Sequence, residues 1–374
     1  FMAKELTRDS YLSKHVGDFP AEFAFGGRRY IKVDDLRYGT NPHQSACYYK
    51  PADELCAIGD MEILKNGKSG LSQTNLEDIS YALNIVKFFR NTAACAVMKH
   101  VNPSGAAVGL AGESVKSVYL KARDADARAA FGSVIAFNVE VDDATAKEIM
   151  ETFVECVVAP SYAPGVLDIF NDGETYKLNK HIRIIRCGDI AKLPRFTGEA
   201  AEMHNTVKVL ADGSLVVAQP LLTALKSVGD LIPAEAENKR CGIQKSTVKA
   251  TAQQKLDLLA AWYINLSVRS NGVVILKNGQ TLSVGTGEQD RVGAIEQAIA
   301  KFSQKYSGEG TLKDSVMSSD GFFPFEDGVE TAAAAGVTAI IAPSGSLRDA
   351  DVIKRANELG VALYHAPERI FSHH

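Results

Sequence analysis

Residues 133–159 read Ser-Val-Ile-Ala-Phe-Asn-Val-Glu-Val-Asp-Asp-Ala-Thr-Ala-Lys-Glu-Ile-Met-Glu-Thr-Phe-Val-Glu-Cys-Val-Val-Ala. Ser133-Val134-Ile135-Ala136-Phe137 is short, apolar and rich in β-branched and aromatic side chains, as buried strands are. Residues 144–154 carry apolar side chains at helical spacing. Cys156-Val157-Val158-Ala159 is again a buried strand. Strand, helix and strand in so short a span argue for an α/β layered fold.

The same grammar extends outward. Toward the N-terminus, residues 76–89 place Leu76, Ile79, Leu83 and Val86 at helical spacing behind Asn75, read as an N-cap. Residues 93–98 form a buried strand that runs into Lys99-His100, and Asn102-Pro103 forces a turn. Residues 114–124 are helical. Toward the C-terminus, helices are expected over 253–266, 291–302, 329–335 and 349–359. Strands are expected over 272–276, 281–284 and 339–343, the first two closed into a hairpin by Asn278-Gly279. Residues 161–250 carry no clear motif.

Two passages resemble each other. Ala130-Phe131-Gly132 leads to a helix and to Val157-Val158-Ala159-Pro160-Ser161. Asp320-Gly321-Phe322-Phe323 leads to a helix and to Ile340-Ile341-Ala342-Pro343-Ser344. An internal duplication is expected, with the chain divided into 1–220 and 221–374.

The 374 residues have ordinary globular composition, 46% hydrophobic and 23% charged. The net charge of -4 and the lack of a long Lys/Arg run give no sign of a nucleic-acid partner. No apolar run approaches the roughly 20 residues of a membrane span, and residues 1–6 lack a signal-peptide core. Six cysteines without C-x-x-C spacing suit a reducing compartment, as small and mostly buried core residues. A cytoplasmic protein is expected.

Several chemistries fail on spacing. Gly285-Thr286-Gly287 begins like a dinucleotide fingerprint, but the third glycine is missing and a hairpin precedes it. Asn66-Gly67-Lys68-Ser69 resembles the end of a P-loop, yet Glu62 stands where the first glycine is required. No Cys or His pairs have zinc-ligand spacing, and Gly-x-Ser-x-Gly is absent. Ser344-Gly345-Ser346 reads as a plain turn.

What remains is Lys99-His100 at a strand end, where α/β folds hold ligands. The lysine charge disfavours imidazolium and keeps a base available. Spacing alone favours a solvated loop. Arg37, Tyr38, Asn41 and His43 crowd one Pro-containing loop with donors suited to a phosphate or carboxamide. Phe322-Phe323-Pro324-Phe325-Glu326-Asp327 sets three aromatics beside two carboxylates, a stacking surface for a flat heterocycle.

Taken in order, these motifs resemble the AICAR (aminoimidazole carboxamide ribonucleotide) transformylase part of the bifunctional purine biosynthesis family. The likeness rests on Leu-Arg-Tyr-Gly-Thr-Asn-Pro-His-Gln at 36–44 and Lys-His-Val-Asn-Pro-Ser-Gly at 99–105. Ala-Phe-Gly at 130–132, Arg-Ser-Asn at 269–271 and Gly-Thr-Gly-Glu-Gln-Asp-Arg at 285–291 also match. So do Ser-Asp-Gly-Phe-Phe-Pro-Phe-Glu-Asp at 319–327, Ala-Pro-Ser-Gly-Ser at 342–346 and Arg369.

The resemblance implies two α/β/α subdomains like those of cytidine deaminases, without the zinc. It implies formyl transfer from 10-formyltetrahydrofolate to the 5-amino group of AICAR. His100 matches the general base. Lys99 matches the group that stabilises the oxyanion or handles the folate proton, and Asn271 the reader of the carboxamide or formyl oxygen. Arg37, Tyr38, Gly132, Glu155, Arg291 and Arg369 match nucleotide positions, and Phe322, Pro324 and Asp327 the folate pocket. A homodimer with interfacial active sites is implied, with no catalytic metal; some members hold a structural potassium ion near Ser270 and Asp320. The family's cyclohydrolase domain precedes the first motif, and only 35 residues do so here, so cyclohydrolase activity is not expected.

Two departures stand out. Ala127, Arg128 and Ala129 replace a stretch that usually carries Pro and Ser, and Gln244-Lys245-Ser246-Thr247-Val248 departs from a lysine-rich pattern. A nucleotide-binding regulator without turnover is the competing reading. The intact Lys99-His100 pair speaks against it.

Overall fold

The computed structural model describes residues 19–201 and 204–373. Residues 1–6, read above for a signal peptide, lie outside them. The chain splits into two interleaved compact units. Of the described residues, 19–101, 114–119 and 129–193 form the first, and 102–113, 120–128, 194–201 and 204–373 the second. Among the described residues no helix is long and apolar enough to cross a membrane. All six cysteines are free; Cys95, Cys156 and Cys187 are buried and the other three half-buried.

The first unit is built on a mixed sheet with spatial order Ala94–Lys99, Ser133–Phe137, Val154–Ala159, Arg183–Arg186, Glu62–Lys65. The first pair is antiparallel, the next two parallel and the last antiparallel. Helix Gln73–Val86 packs on the first two strands. Its buried Ile79, Ala82, Leu83 and Val86 recur at the i, i+3, i+4, i+7 spacing of an amphipathic face. A three-stranded antiparallel sheet, Glu22–Phe25, Arg28–Leu36 and Ala46–Pro51, completes the unit.

Three sequence expectations need correction here. The turn expected at Asn102-Pro103 lies at His100-Val101, and Asn102 already opens the strand Asn102–Val108. The cap of helix Gln73–Val86 is Ser72, not Asn75. The Ser72 hydroxyl accepts from the Asn75 N–H at 3.2 Å, and the Asn75 side chain accepts from the Ser72 N–H at 3.1 Å. This is a capping box, which starts the helix before its first large apolar residue. The helix expected over 144–154 is Asp143–Met150. Asn179, fully buried, ends it by donating to the carbonyls of Met150 and Thr152 at 3.0 and 2.6 Å while accepting from Val154 N–H at 2.9 Å. Val154 is thereby released into the next strand.

In the second unit the sheet order is Asn102–Val108, Gln280–Gly285, Val273–Lys277, Ser315–Ser319, Val337–Pro343, Ala362–Ala366, Ile232–Pro233. Val273, Ile275, Met317, Ile340 and Leu363 fill its core against Ile295, Val329 and Ile353 of the covering helices.

The chain order repeats. A capped helix (Gln73–Val86; Ala252–Asn265) precedes a strand (Ala94–Lys99; Val273–Lys277), a two-residue turn (100–101; 278–279) and a second strand (Asn102–Val108; Gln280–Gly285). A helix follows, then strand, helix, strand, helix and strand. The pairing signs match: antiparallel, parallel, parallel in each unit. Both opening helices carry capping boxes, at Ser72 and Thr251. A packing device recurs too. A Cβ on Gly105 would lie 2.2 Å from the Ala122 carbonyl oxygen, and one on Gly285 2.1 Å from that of Ala294. In each case a helix backbone lies directly on the strand.

Candidate active site

Strand register gathers the first set of candidate residues. Met98 lies opposite Val134, Ser133 opposite Val154, and Cys156 opposite Arg183. Lys99, Gly132, Glu155 and Arg183 therefore follow one another along a single edge of the first unit's sheet. Lys99 ends its strand half-buried, and its Nζ donates to the Phe131 carbonyl at 2.7 Å, beside Gly132.

His100 and Val101 form the turn that follows. Their φ angles are 54° and 61°, the left-handed region that costs a side-chain-bearing residue about 1–2 kcal/mol. Such φ values at both central positions suit a type I′ turn, where Asn and Gly are the favoured residues. The His100 side chain is exposed. Beneath the turn, the buried Asp78 accepts from the Val101 N–H at 2.6 Å and also from the His100 N–H. Burial pushes the Asp78 carboxyl up to about 6, against the pull of those two N–H groups and of the His100 charge.

The start of helix Gln73–Val86 collects the rest. The Arg37 N–H donates to the Leu71 carbonyl at 2.8 Å, and the Gln73 N–H to the Tyr38 carbonyl at 3.0 Å. The loop carrying Arg37 and Tyr38 is thus fastened to the first helical turn. The Arg37 guanidinium lies 4.9 Å from the Tyr38 ring centroid, and its buried Nε has no hydrogen-bond partner among the described residues. One turn in, Asn75 Nδ2 donates to Glu155 at 2.9 Å, and Arg183 approaches the same carboxylate oxygen at 3.9 Å. Asn75 and Asp78, three residues apart, share a helix face. One helix therefore holds the Arg37–Tyr38 loop, Glu155 and the His100 turn in a common frame.

The second set lies in the second unit. Asn271 precedes strand Val273–Lys277, and Asp320 and Arg369 follow strands Ser315–Ser319 and Ala362–Ala366. This is the edge away from the 278–279 turn, whereas the first unit uses the edge that carries its turn. Asn271 Nδ2 donates to the Glu288 carbonyl at 2.9 Å, and its Oδ1 accepts from Arg291 at 2.7 Å. The buried Arg291 is also paired with Asp320, which is fully buried and accepts from the Gly272 N–H at 2.8 Å. Arg291, matched above to the nucleotide, has both terminal nitrogens on internal partners and braces Asn271, while its buried Nε has no hydrogen-bond partner among the described residues. Arg369 is exposed, its guanidinium 4.4 Å from the Phe371 ring centroid. Phe322, Pro324 and Asp327 are exposed, while Phe323 between them is 3% exposed and anchors the segment in the core.

Asn75, Asp78 and Arg183 were not among the sequence candidates. Asn75 could have been found from the Ser72-x-x-Asn75 spacing. Asp78 could have been found as an acid standing on an otherwise apolar helix face. Arg183, whose Nε donates to the Gly70 carbonyl at 2.6 Å, left no local signal. Among the described residues no cluster of three His, Cys, Asp or Glu could hold a metal.

A family model described as the AICARFT/IMPCHase bienzyme matches residues 5–301 of the chain. The bifunctional purine biosynthesis protein PurH of Microcystis aeruginosa is 39% identical over 342 residues, covering 91% of this chain and 59% of that protein. Its namesake from Nostoc punctiforme is 36% identical with the same coverage. That from Acetivibrio thermocellus is 37% identical over 369 residues, 97% of this chain and 63% of that protein. The chain thus spans about 60% of the length of these relatives.

Proposed function

Because the chain belongs to the AICARFT/IMPCHase bienzyme family, we propose that it transfers the formyl group of 10-formyltetrahydrofolate to the 5-amino group of AICAR. The 5-amino nitrogen bonds to the formyl carbon, the bond from that carbon to folate N10 breaks, the amine loses a proton and N10 gains one. The products are the formamido nucleotide and tetrahydrofolate. The observation that carries the reading is the Lys99–His100 pair, placed at a strand edge by a turn that its own residue types disfavour.

His100, exposed at the tip of that turn, takes the amine proton. Lys99, its neighbour on the strand, supplies charge to the oxyanion that develops at the formyl carbon; such groups act most strongly when held in place beforehand. Arg37, with an unsatisfied buried Nε, and Arg369 suit the phosphate. Tyr38, Gly132 and Glu155 line the nucleotide's side of the first unit, and Asn271 reads the carboxamide or formyl oxygen. Exposed Phe322 and Pro324 offer a face for the pteridine, and Asp327 a carboxylate for its ring nitrogens.

A cytoplasmic homodimer belongs to the same proposal. So does the descent of 1–220 and 221–374 from one duplicated cytidine-deaminase-like unit, which the repeated element order and pairing signs support. A potassium ion beside Asp320 fits less well. One carboxylate oxygen is engaged by Arg291 and the other by the Gly272 N–H, so no step is drawn through it.

The test is direct: protein, AICAR and 10-formyltetrahydrofolate are mixed and tetrahydrofolate formation is followed. Turnover is expected. Tight nucleotide binding without turnover would overturn the enzymatic reading in favour of a nucleotide-binding regulator.

A further inference from the structure

The repeat supplies an internal control for the His100 turn. Asp78 lies six residues after the helix cap Ser72, and Asp257 lies six after Thr251. Asp257 accepts from the Asn278 and Gly279 N–H groups at 2.7 and 2.9 Å, as Asp78 accepts from His100 and Val101. The φ angles at 278 and 279 are 50° and 73°, close to those at 100 and 101. The two units therefore share one device: a helix carboxylate that clamps both N–H groups of a left-handed two-residue turn.

The occupants differ. Asn-Gly adopts this turn readily, because Gly lacks a Cβ and Asn tolerates the left-handed region. His-Val does not. Valine is β-branched, and a positive φ for such a residue persists only where its surroundings impose it. In the second unit the carboxylate secures a turn that would form anyway. In the first it has to impose one.

We infer that Asp78 is the positioning residue of the active site: by clamping the His100 and Val101 N–H groups it forces the turn that presents the imidazole beside Lys99. The carboxylate is buried and accepts from the backbone of the turn, so it acts through His100 and not on substrate. Its effect on turnover rests on the formyltransferase reading. Its effect on the turn does not.

The test compares Asp78→Asn with Asp257→Asn in the full chain. The amide keeps the volume and one acceptor but turns a donor toward a second N–H. Hydrogen exchange of the His100 and Val101 amides is read first, without substrate. About tenfold or faster exchange is expected in Asp78→Asn, confined to the turn, as for a local opening. Formyl transfer is read next: kcat should fall roughly 10–100-fold with the nucleotide KM held within about threefold, the pattern of a lost transition-state interaction. Asp257→Asn should open the 278–279 turn far less and leave kcat within about twofold, since the Asn-Gly turn carries its own preference. Adding Val101→Gly to Asp78→Asn should restore at least about tenfold in kcat, because glycine takes the left-handed conformation unaided.

Unchanged exchange at His100 and Val101 in Asp78→Asn would overturn the inference, whatever the activity. So would faster exchange with wild-type kcat, or a double variant that regains nothing. A wild-type protein without formyl transfer would sink the functional reading alone and leave the exchange comparison decisive for the clamp. Should Asp78→Asn fail to fold, Asp78→Glu, which keeps the charge but shifts the oxygens by a methylene, carries the same comparison.

Discussion

Arg291 donates to the Asn271 side-chain oxygen at 2.7 Å while its other terminal nitrogen pairs with the fully buried Asp320. The orientation of one candidate substrate-reading amide is therefore set by a buried ion pair. Removing the arginine should do two things. Arg291→Met strands the Asp320 carboxylate in the core and should cost about 3–5 kcal/mol, the range for breaking a buried pair from one side. It should also lower turnover by freeing Asn271. Urea unfolding of variant and wild type measures the first; a loss below about 1 kcal/mol would show that the pair is not closed to solvent.

His100→Ala removes the proposed base and leaves the loop of Arg37 and Tyr38 untouched. Turnover should fall about 10²–10⁴-fold. Nucleotide affinity, measured by calorimetry, should change little. Wild-type rates in this variant would refute the assignment.

Gly105 lies inside the Lys99–Gly105 motif, yet its reason is packing. An added methyl would lie 2.2 Å from a helix carbonyl and 2.5 Å from the Ala125 side chain, and rotation cannot relieve either contact. Gly105→Ala should cost about 2 kcal/mol or more. Gly285→Ala, against the Ala294 carbonyl, should cost a similar amount. Thermal unfolding compares them, and a neutral Gly105→Ala would show that the helix can withdraw.

The Asp78 carboxyl has an ordinary value of 3.8 and is held at about 6 in the folded protein, burial outweighing the favourable N–H groups and the His100 charge, with Glu77 adding to the rise. The folded state thus binds this proton more tightly than the unfolded chain. Stability from this group is fully present below about pH 4 and is lost as pH rises through about 6. In Asp78→Asn that slope disappears. The stability of wild type relative to the variant should therefore decline between about pH 4 and pH 6 and level off above, as read from urea midpoints across that range. A difference that rises with pH would mean the carboxylate is stabilised, not penalised, by its surroundings.

Much of this was legible in the chain itself. The helix and strand periods and the Asn-Gly hairpin located the covering helices and the strands at 94–99, 133–137, 154–159, 273–277, 280–285 and 337–343, because buried faces impose a spacing that sequence shows directly; the sheet strands Glu62–Lys65, Asn102–Val108, Arg183–Arg186 and Ser315–Ser319 were not located. Helix ends were less legible, since Met150 is stopped by Asn179 from far along the chain. Lys99 and His100 were candidates from the sequence, but the strain beneath His100 was not foreseen, because it depends on the carboxylate of Asp78 meeting two backbone N–H groups. Arg291 was matched to the nucleotide through the family resemblance alone, and its pairing with Asp320 was not foreseen, since no local pattern says which carboxylate an arginine will meet.

The interleaving of the units bears on how the chain is made. Ala107 of strand Asn102–Val108 pairs with Gln280, and the Val108 N–H donates to the Gly279 carbonyl. About 170 residues must leave the ribosome before that partner exists, roughly 10–35 s at common elongation speeds. Until then the strand directly after Lys99-His100 emerges with an open edge, the kind of surface that chaperones shield and proteases find. The strand that follows Lys99-His100 is thus closed on this side only when the 280–285 strand arrives.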